Sequence, residues 1–221
     1  MTINWDLVWS SLGPILIGAV SGTIPLALAS FGLGLLLALL VALMRLSRNP
    51  VFSVVARMYI SVIRGTPLLV QLFVIFYGLP SIGVTISPWP SAIIAFSLNV
   101  GGYAAEIIRA AILSVPKGQW EAGHTIGMSR PQALVRIILP QAARVSVPPL
   151  SNTFISLVKD TSLASLILVT ELFRNAQQIA AFSQEFMALY LQAALVYWVI
   201  CLVLSTAQSA VEKRLDRYVA H

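Results

Sequence analysis

From Thr23 to Met44 the chain carries no charged side chain and is dense in leucine. A spanning helix needs about 20 consecutive apolar residues, and backbone amides and carbonyls inside lipid must find partners within the protein itself. That run therefore commits the chain to a membrane and its first span to helix. Composition agrees, because 58% of the 221 residues are hydrophobic and 10% are charged, with a mean hydropathy of +0.87, against about 25% charged in soluble domains. A chain of 221 residues has room for roughly five or six spans and for no separate soluble domain. Cys201 is the sole cysteine and lies in an apolar run, which excludes an internal disulfide framework or a cysteine metal cluster. No Lys or Arg precedes Arg45, so the start lacks the positive region of a cleavable signal and is expected to stay in the mature protein.

The net charge of +6 reports topology here rather than an affinity for nucleic acid, because Lys and Arg gather on the cytoplasmic side of membrane proteins. Trp5, Trp9 and Leu12 recur at helical spacing beside Asn4, Asp6 and Ser10, which suits either a short interfacial helix over residues 2–12 or a frayed start to the first span. Spans are expected at about Thr23–Met44, Val54–Leu79, Ser91–Leu113, from Ala142 outward, and Phe186–Val211, with short helices that partly re-enter over residues 163–185. Of the 14 Lys and Arg, all but Lys159 and Arg174 then fall on one side. That asymmetry sets the N-terminus outside and the C-terminus inside, with Arg45, Arg48 and Arg57 in the first inner loop and Lys213, Arg214 and Arg217 closing the chain.

Three of these segments are too polar for lipid. The second holds Arg64-Gly65-Thr66-Pro67, where proline removes a donor and breaks the helix, and where Arg64 either faces a partner or reaches to the interface. The third carries Asn99, Gly101, Gly102, Tyr103, Glu106 and Arg109, and Glu106 and Arg109 are placed to pair at i,i+3. The fourth contains Pro148-Pro149, Asn152 and Lys159-Asp160-Thr161-Ser162. Such helices line a protein or water interface. Between the third and fourth spans lies the longest polar interruption, Glu121–Pro140. It reads as a short helix over Lys117–Thr125 that Gly127 ends in a left-handed cap, with His124 and Met128 near the Glu121 face at i+3 and i+7. No catalytic or metal-binding grouping emerges: His124 and His221 are the only histidines, and there is no phosphate-binding glycine-rich loop ending in Lys-Ser/Thr. The chain cannot hydrolyse ATP through such a loop on its own.

The polar stretch resembles the EAA loop of importer-type ABC transporter permeases. It runs Glu121-Ala122-Gly123, then Gly127, then Ile137, Leu139 and Pro140. Gly123 stands where that pattern has Ala, a change that weakens helix propensity by about 1 kcal/mol. The segments Arg64–Leu72, Tyr77–Pro80, Gly102–Glu106, Leu139–Ala142 and Ser156–Leu163 are similar to permeases for polar amino acids (histidine, glutamine, glutamate, arginine and cystine). Lys117–Glu121 and Pro148–Ser162 resemble L-cystine permeases most. The resemblance covers nearly the whole chain and implies an all-α integral membrane fold, the five-helix MetI-like fold of type I importers, as a single domain over residues 1–221 with a coupling loop at 117–140.

The same resemblance implies a multi-pass subunit of the bacterial cytoplasmic (inner) membrane, surrounded by lipid. Its partners would be a second, identical or related permease chain, two copies of a cytoplasmic ABC ATPase, and an extracytoplasmic amino-acid-binding protein. No cofactor is expected in this chain, since ATP and Mg would be bound by the ATPase. Glu121, Ala122, Gly123, His124, Gly127 and Met128 would couple to that ATPase. A zwitterionic substrate needs acceptors for its ammonium and donors for its carboxylate, for which Asn99, Glu106, Asn152, Lys159, Asp160, Thr161 and Ser162 are the candidates. Two other classes compete: an ion-gradient-driven amino acid transporter with Glu106 or Asp160 as proton site, and a membrane-anchored assembly subunit.

Overall fold

The computed structural model describes residues 4–216, with side chains through Arg214. Arg217 and His221 lie outside the described residues. All regular structure among the described residues is helical. The elements are α1 (Trp5–Leu46), α2 (Pro50–Gly65), α3 (Leu68–Ile82), α4 (Pro88–Ser114), α5 (Lys117–Thr125), α6 (Arg130–Ile167), α7 (Leu172–Ser183) and α8 (Phe186–Asp216). By length and composition α1, α4 and α8 can each cross a membrane, and five crossings result if the bent pairs α2–α3 and α6–α7 each count as one.

Of the two readings of the first residues, the described ones form the start of the first span rather than a separate interfacial segment. Helix α1 starts at Trp5, where the Asn4 side chain caps it by accepting from the Leu7 amide at 3.1 Å, and it runs without interruption for 42 residues. At 1.5 Å per residue that is about 63 Å, twice a hydrocarbon core of about 30 Å. The early turns are tied down rather than frayed. Ser11 donates to Gln192 Oε1 at 2.7 Å and the Gln192 amide donates to Val8 O at 2.8 Å, fastening α1 to α8. A π-helical segment at Ala19–Thr23 lies immediately before Pro25, where the ring would otherwise clash with the preceding turn.

The bundle is built around α4. Buried Ala27, Ser30, Gly34, Ala38, Val41 and Ala42 form a stripe of small residues on α1, facing buried Ala92, Ala95, Ser97, Val100 and Ala104 on α4. Lipid supplies no hydrophobic drive between helices, so close van der Waals packing through small side chains has to hold them. A Cβ on Gly34 would come within 2.6 Å of Val100. On the other side, a Cβ on Gly101 would meet the Tyr59 hydroxyl at 2.6 Å, and one on Gly102 would meet Ile63 Cγ2 at 2.5 Å. Tyr59 also donates to Leu98 O at 2.6 Å.

A buried carboxylate secures α7 against α1 and α8. Glu171 is fully buried and caps α7, with Oε1 accepting from the Arg174 amide at 2.6 Å and Oε2 from the Phe173 amide at 2.9 Å. Tyr197 of α8 and Thr23 of α1 donate to Oε2 at 2.8 Å and 3.3 Å. Four donors and the positive end of a helix stand in for a cation. Gly18 and Gly22 make room for this node, since a Cβ on either would approach the Glu171 backbone to 2.9 Å or less.

Replacing Gly102 by Leu should overpack the α2–α4 contact and cost about 1–3 kcal/mol. The expected outcome is a lower midpoint in a thermal size-exclusion assay of the detergent-solubilised protein, with Gly65→Ala, which meets open space, as the comparison.

Candidate functional site: a polar cavity and an exposed capped helix

The helix break predicted in the second segment is a sharp corner. α2 and α3 meet at 105° across Thr66-Pro67. Proline has no N–H, so the carbonyl of Ile63, four residues earlier, loses its helical donor, and the extended Thr66 (φ −122, ψ 145) takes Val62 O out of the helical pattern too. Two side chains repair both losses. The Thr66 hydroxyl donates to Val62 O at 2.8 Å, and Gln71 Nε2 donates to Ile63 O at 2.8 Å while lying 3.1 Å from Thr66 O and 2.9 Å from Thr66 Oγ1. Gln71 Oε1 in turn accepts from Asn99 Nδ2 of α4 at 3.2 Å.

The corner forms one wall of a cavity of about 430 Å³, lined by Thr66, Pro67 and Leu68, by Asn99, Val100 and Tyr103 of α4, and by Asn152, Thr153, Ser156, Leu157 and Asp160 of α6. Asn99, Asn152 and Asp160, three of the seven candidates for substrate contact, therefore share one chamber. Asn152 Oδ1 also accepts from Gln208 of α8 at 3.1 Å.

The other four candidates lie elsewhere. Glu106 is held by Arg109 Nη2 at 2.8 Å and Nε at 3.0 Å, with Arg45 Nε of α1 at 3.6 Å from its other oxygen. The i,i+3 pair is thus present and widened into a cluster joining α1 to α4. Thr161 is buried and donates to Val158 O at 2.7 Å. Ser162 donates to Lys159 O at 2.8 Å, and Lys159 is exposed. Arg64 lies over the Tyr103 ring at 5.3 Å, a cation–π contact with a residue of the cavity wall.

The polar stretch after α4 folds into α5 over Lys117–Thr125. Gly127 has φ +80, and its amide bonds to His124 O at 3.0 Å while the Met128 amide bonds to Gly123 O at 3.0 Å. Those two bonds are the Schellman arrangement, which fixes the end of the helix. Glu121, Ala122 and His124 are exposed, and Ile126 is 71% exposed. Gly123 is buried against the chain's own α6: a Cβ there would stand 3.2 Å from Ala133 Cβ and 3.3 Å from Ile137 Cδ1. Met128 does not continue the Glu121 face, because the helix has ended before it and the chain folds its sulfur back to within 3.9 Å of where that Gly123 Cβ would be.

Trp120 packs on the cluster of Ala111, Ile112, Val115, Ile138 and Ala142, and Gln141 donates to Gln119 Oε1 at 3.3 Å and to Ile137 O at 3.0 Å. The helix is thereby fixed to the ends of both α4 and α6. Gln71, Gln208 and Glu171 were not among the sequence candidates. Only Gln71 had a readable signal, an amide four residues beyond a proline break.

Residues 30–217 match the family described as "Binding-protein-dependent transport system inner membrane component". The chain belongs to that family. It is similar to the L-cystine transport system permease protein TcyB of Bacillus subtilis, with 62% identity over 99% of this chain and 94% of that protein. It is also similar to the glutamine transport system permease protein GlnP of Escherichia coli K12, with 36% identity over 97% of this chain and 99% of that one. A crystal structure of an amino acid ABC transporter with histidines superposes with a TM-score of 0.90 at 35% identity, covering 97% of this chain and 100% of that chain. The inward-facing MetNI methionine ABC transporter gives 0.77 at 18% identity over 91% and 96%, a likeness of fold alone. The protein is thus an ABC permease subunit of MetI-like fold, a transport component that relies on a separate ATPase.

Gly127→Val would place a β-branched residue at φ +80, costing about 1–2 kcal/mol. Faster amide exchange is expected across Lys117–Met128, with exchange in Ala92–Ala105 unchanged, as read by hydrogen–deuterium mass spectrometry.

Proposed function

We infer that this chain is the permease of an ATP-driven importer that moves polar amino acids, L-cystine foremost, into the cytoplasm by alternating access. It pairs with a second permease chain and with two copies of a cytoplasmic ATPase, which bind the ATP and Mg, and it receives substrate from an extracytoplasmic amino-acid-binding protein. The N-terminus lies outside and the C-terminus inside, so that α5 and the Arg45, Arg109, Lys213 and Arg214 end of the bundle face the cytoplasm. The observation that carries this reading is the geometry of α5. It is a capped helix with exposed Glu121, Ala122 and His124, fastened to α6, and α6 reaches the cavity wall at Asn152 and Asp160.

Small residues and an anionic side chain on a fixed helix suit close docking into a cleft of the ATPase, and Gly123, Gly127 and Met128 serve that docking by shaping the helix from behind. Asn99, Asn152 and Asp160 would contact the substrate. Glu106, Lys159, Thr161 and Ser162 would support the pathway by holding the helices that frame it. The preference for cystine rests on the likeness to the B. subtilis L-cystine permease.

Glu121→Arg, in the complex reconstituted with its ATPase and binding protein, should lower ATP-dependent uptake at least tenfold. Equal uptake by Glu121→Arg and wild type, or uptake by vesicles lacking the ATPase, would overturn the coupling role. Labelled cystine uptake should be suppressed more than tenfold by excess unlabelled cystine and little by equal arginine or glutamine; the reverse order would remove the cystine assignment.

A further inference from the structure

The Gln71 side chain is in the wrong place to be a packing residue. Its Nε2 has three oxygen acceptors within 3.1 Å, Ile63 O, Thr66 O and Thr66 Oγ1, and the hydrogen of that hydroxyl is already committed to Val62 O at 2.8 Å. An amide turned the other way would set its oxygen against acceptors alone, so the nitrogen must face the break. Oε1 is then left to face α4, and only a donor can meet it. Asn99 supplies that donor through Nδ2 at 3.2 Å, which leaves Asn99 Oδ1 as the acceptor available on the cavity wall. The orientation of a wall residue is therefore set by the orphaned Ile63 carbonyl and the Thr66 carbonyl at the helix break.

We propose that Gln71 is a positioning residue of the substrate cavity: clamped by the Ile63 and Thr66 carbonyls at the helix break, it fixes the Asn99 amide so that the cavity presents a carbonyl oxygen to the ammonium group of an amino acid. The inference rests on the cavity reading given above. Asp160 lines the same cavity, so the two oxygens give the chamber acceptors matched to a cation rather than to a carboxylate. Gln71 itself does not line the cavity and acts only through Asn99.

The test is equilibrium binding of radiolabelled L-cystine to the intact complex in lipid nanodiscs without the binding protein, using variants that co-purify with the ATPase. Gln71→Glu keeps the shape but turns a donor into an oxygen facing Ile63 O, and Gln71→Met keeps the volume without charge should the first fail to assemble. Either is expected to weaken binding at least fivefold, as is Asn99→Ala, and the Gln71→Met/Asn99→Ala double variant should be no weaker than Asn99→Ala alone. Wild type should also prefer cystine over N,N′-diacetylcystine, which lacks the ammonium, and that preference should shrink in the Gln71 variants. Full affinity in Gln71→Met beside a weakened Asn99→Ala, or losses that multiply in the double variant, would overturn the clamp alone. Wild-type affinity in Asn99→Ala, or no cystine binding by wild type, would overturn the cavity reading and the clamp together.

Discussion

Close approach between helices at α4 is the constraint on which the other features depend. Van der Waals contact has to do in lipid what hydrophobic burial does in water, and it falls away steeply with distance. Gly34 of α1 and Gly101 and Gly102 of α4 reduce three contacts to backbone against side chain. Once α1 and α2 are seated on α4, the corner at Thr66-Pro67 has to lie beside Asn99, and Arg45 has to lie beside Glu106. The cavity and the arginine cluster are thus consequences of the same packing, at different depths along one helix.

The second constraint is that no water rescues a broken helix inside a membrane. Irregular backbone is tolerated there only where protein or a polar cavity satisfies it. Here the repairs come from side chains: Gln71 and Thr66 at the first corner, and Glu171 at the start of α7. Each repair also joins two helices or crosses a bend, so satisfying the backbone and fixing the tertiary arrangement are one act. Among the polar residues inside this apolar chain, some accordingly mend backbone, some join helices as Glu106 and Gln192 do, and some line the cavity.

That division explains what could be read from the sequence. The third span, expected at Ser91–Leu113, is α4 at Pro88–Ser114, because an apolar run flanked by Pro and by a polar loop defines its own ends. The short helix after α4 was legible to the residue at Lys117–Thr125, and Gly127 in its left-handed state followed from cap chemistry. Continuity of α1 through Gly13, Pro14, Gly18 and Gly22 was not legible, since those residues read locally as helix breakers. They persist in a helix because α7 and α8 pack there, a tertiary effect with no trace in local propensity. Met128 was set on the Glu121 face by extending a helix past the glycine that ends it. Among the polar residues, type alone could not distinguish Asn99, which walls the cavity, from Thr161, which bonds its own backbone.

The same packing bears on how movement at α5 would reach the cavity. From Arg130 to Asp160 the chain is helical throughout, a length of about 45 Å at 1.5 Å per residue. Its first turns are fixed to α5 through Gly123, Trp120 and Gln119, and its far turns carry Asn152, Ser156 and Asp160 on the cavity wall. Asn99 and the Thr66 corner line the same chamber and are fixed to each other through Gln71, by hydrogen bonds that involve no residue of α6. A tilt of α6 imposed at its base would therefore shift Asn152, Ser156 and Asp160 without remaking any hydrogen bond of the Gln71 clamp. Pro148 and Pro149 lie between the driven end and the cavity end, at the position where a helix lacking two N–H donors bends most readily. The direction of such a bend, rather than the rigidity of the whole helix, would then set how much of a displacement at α5 could arrive at Asp160.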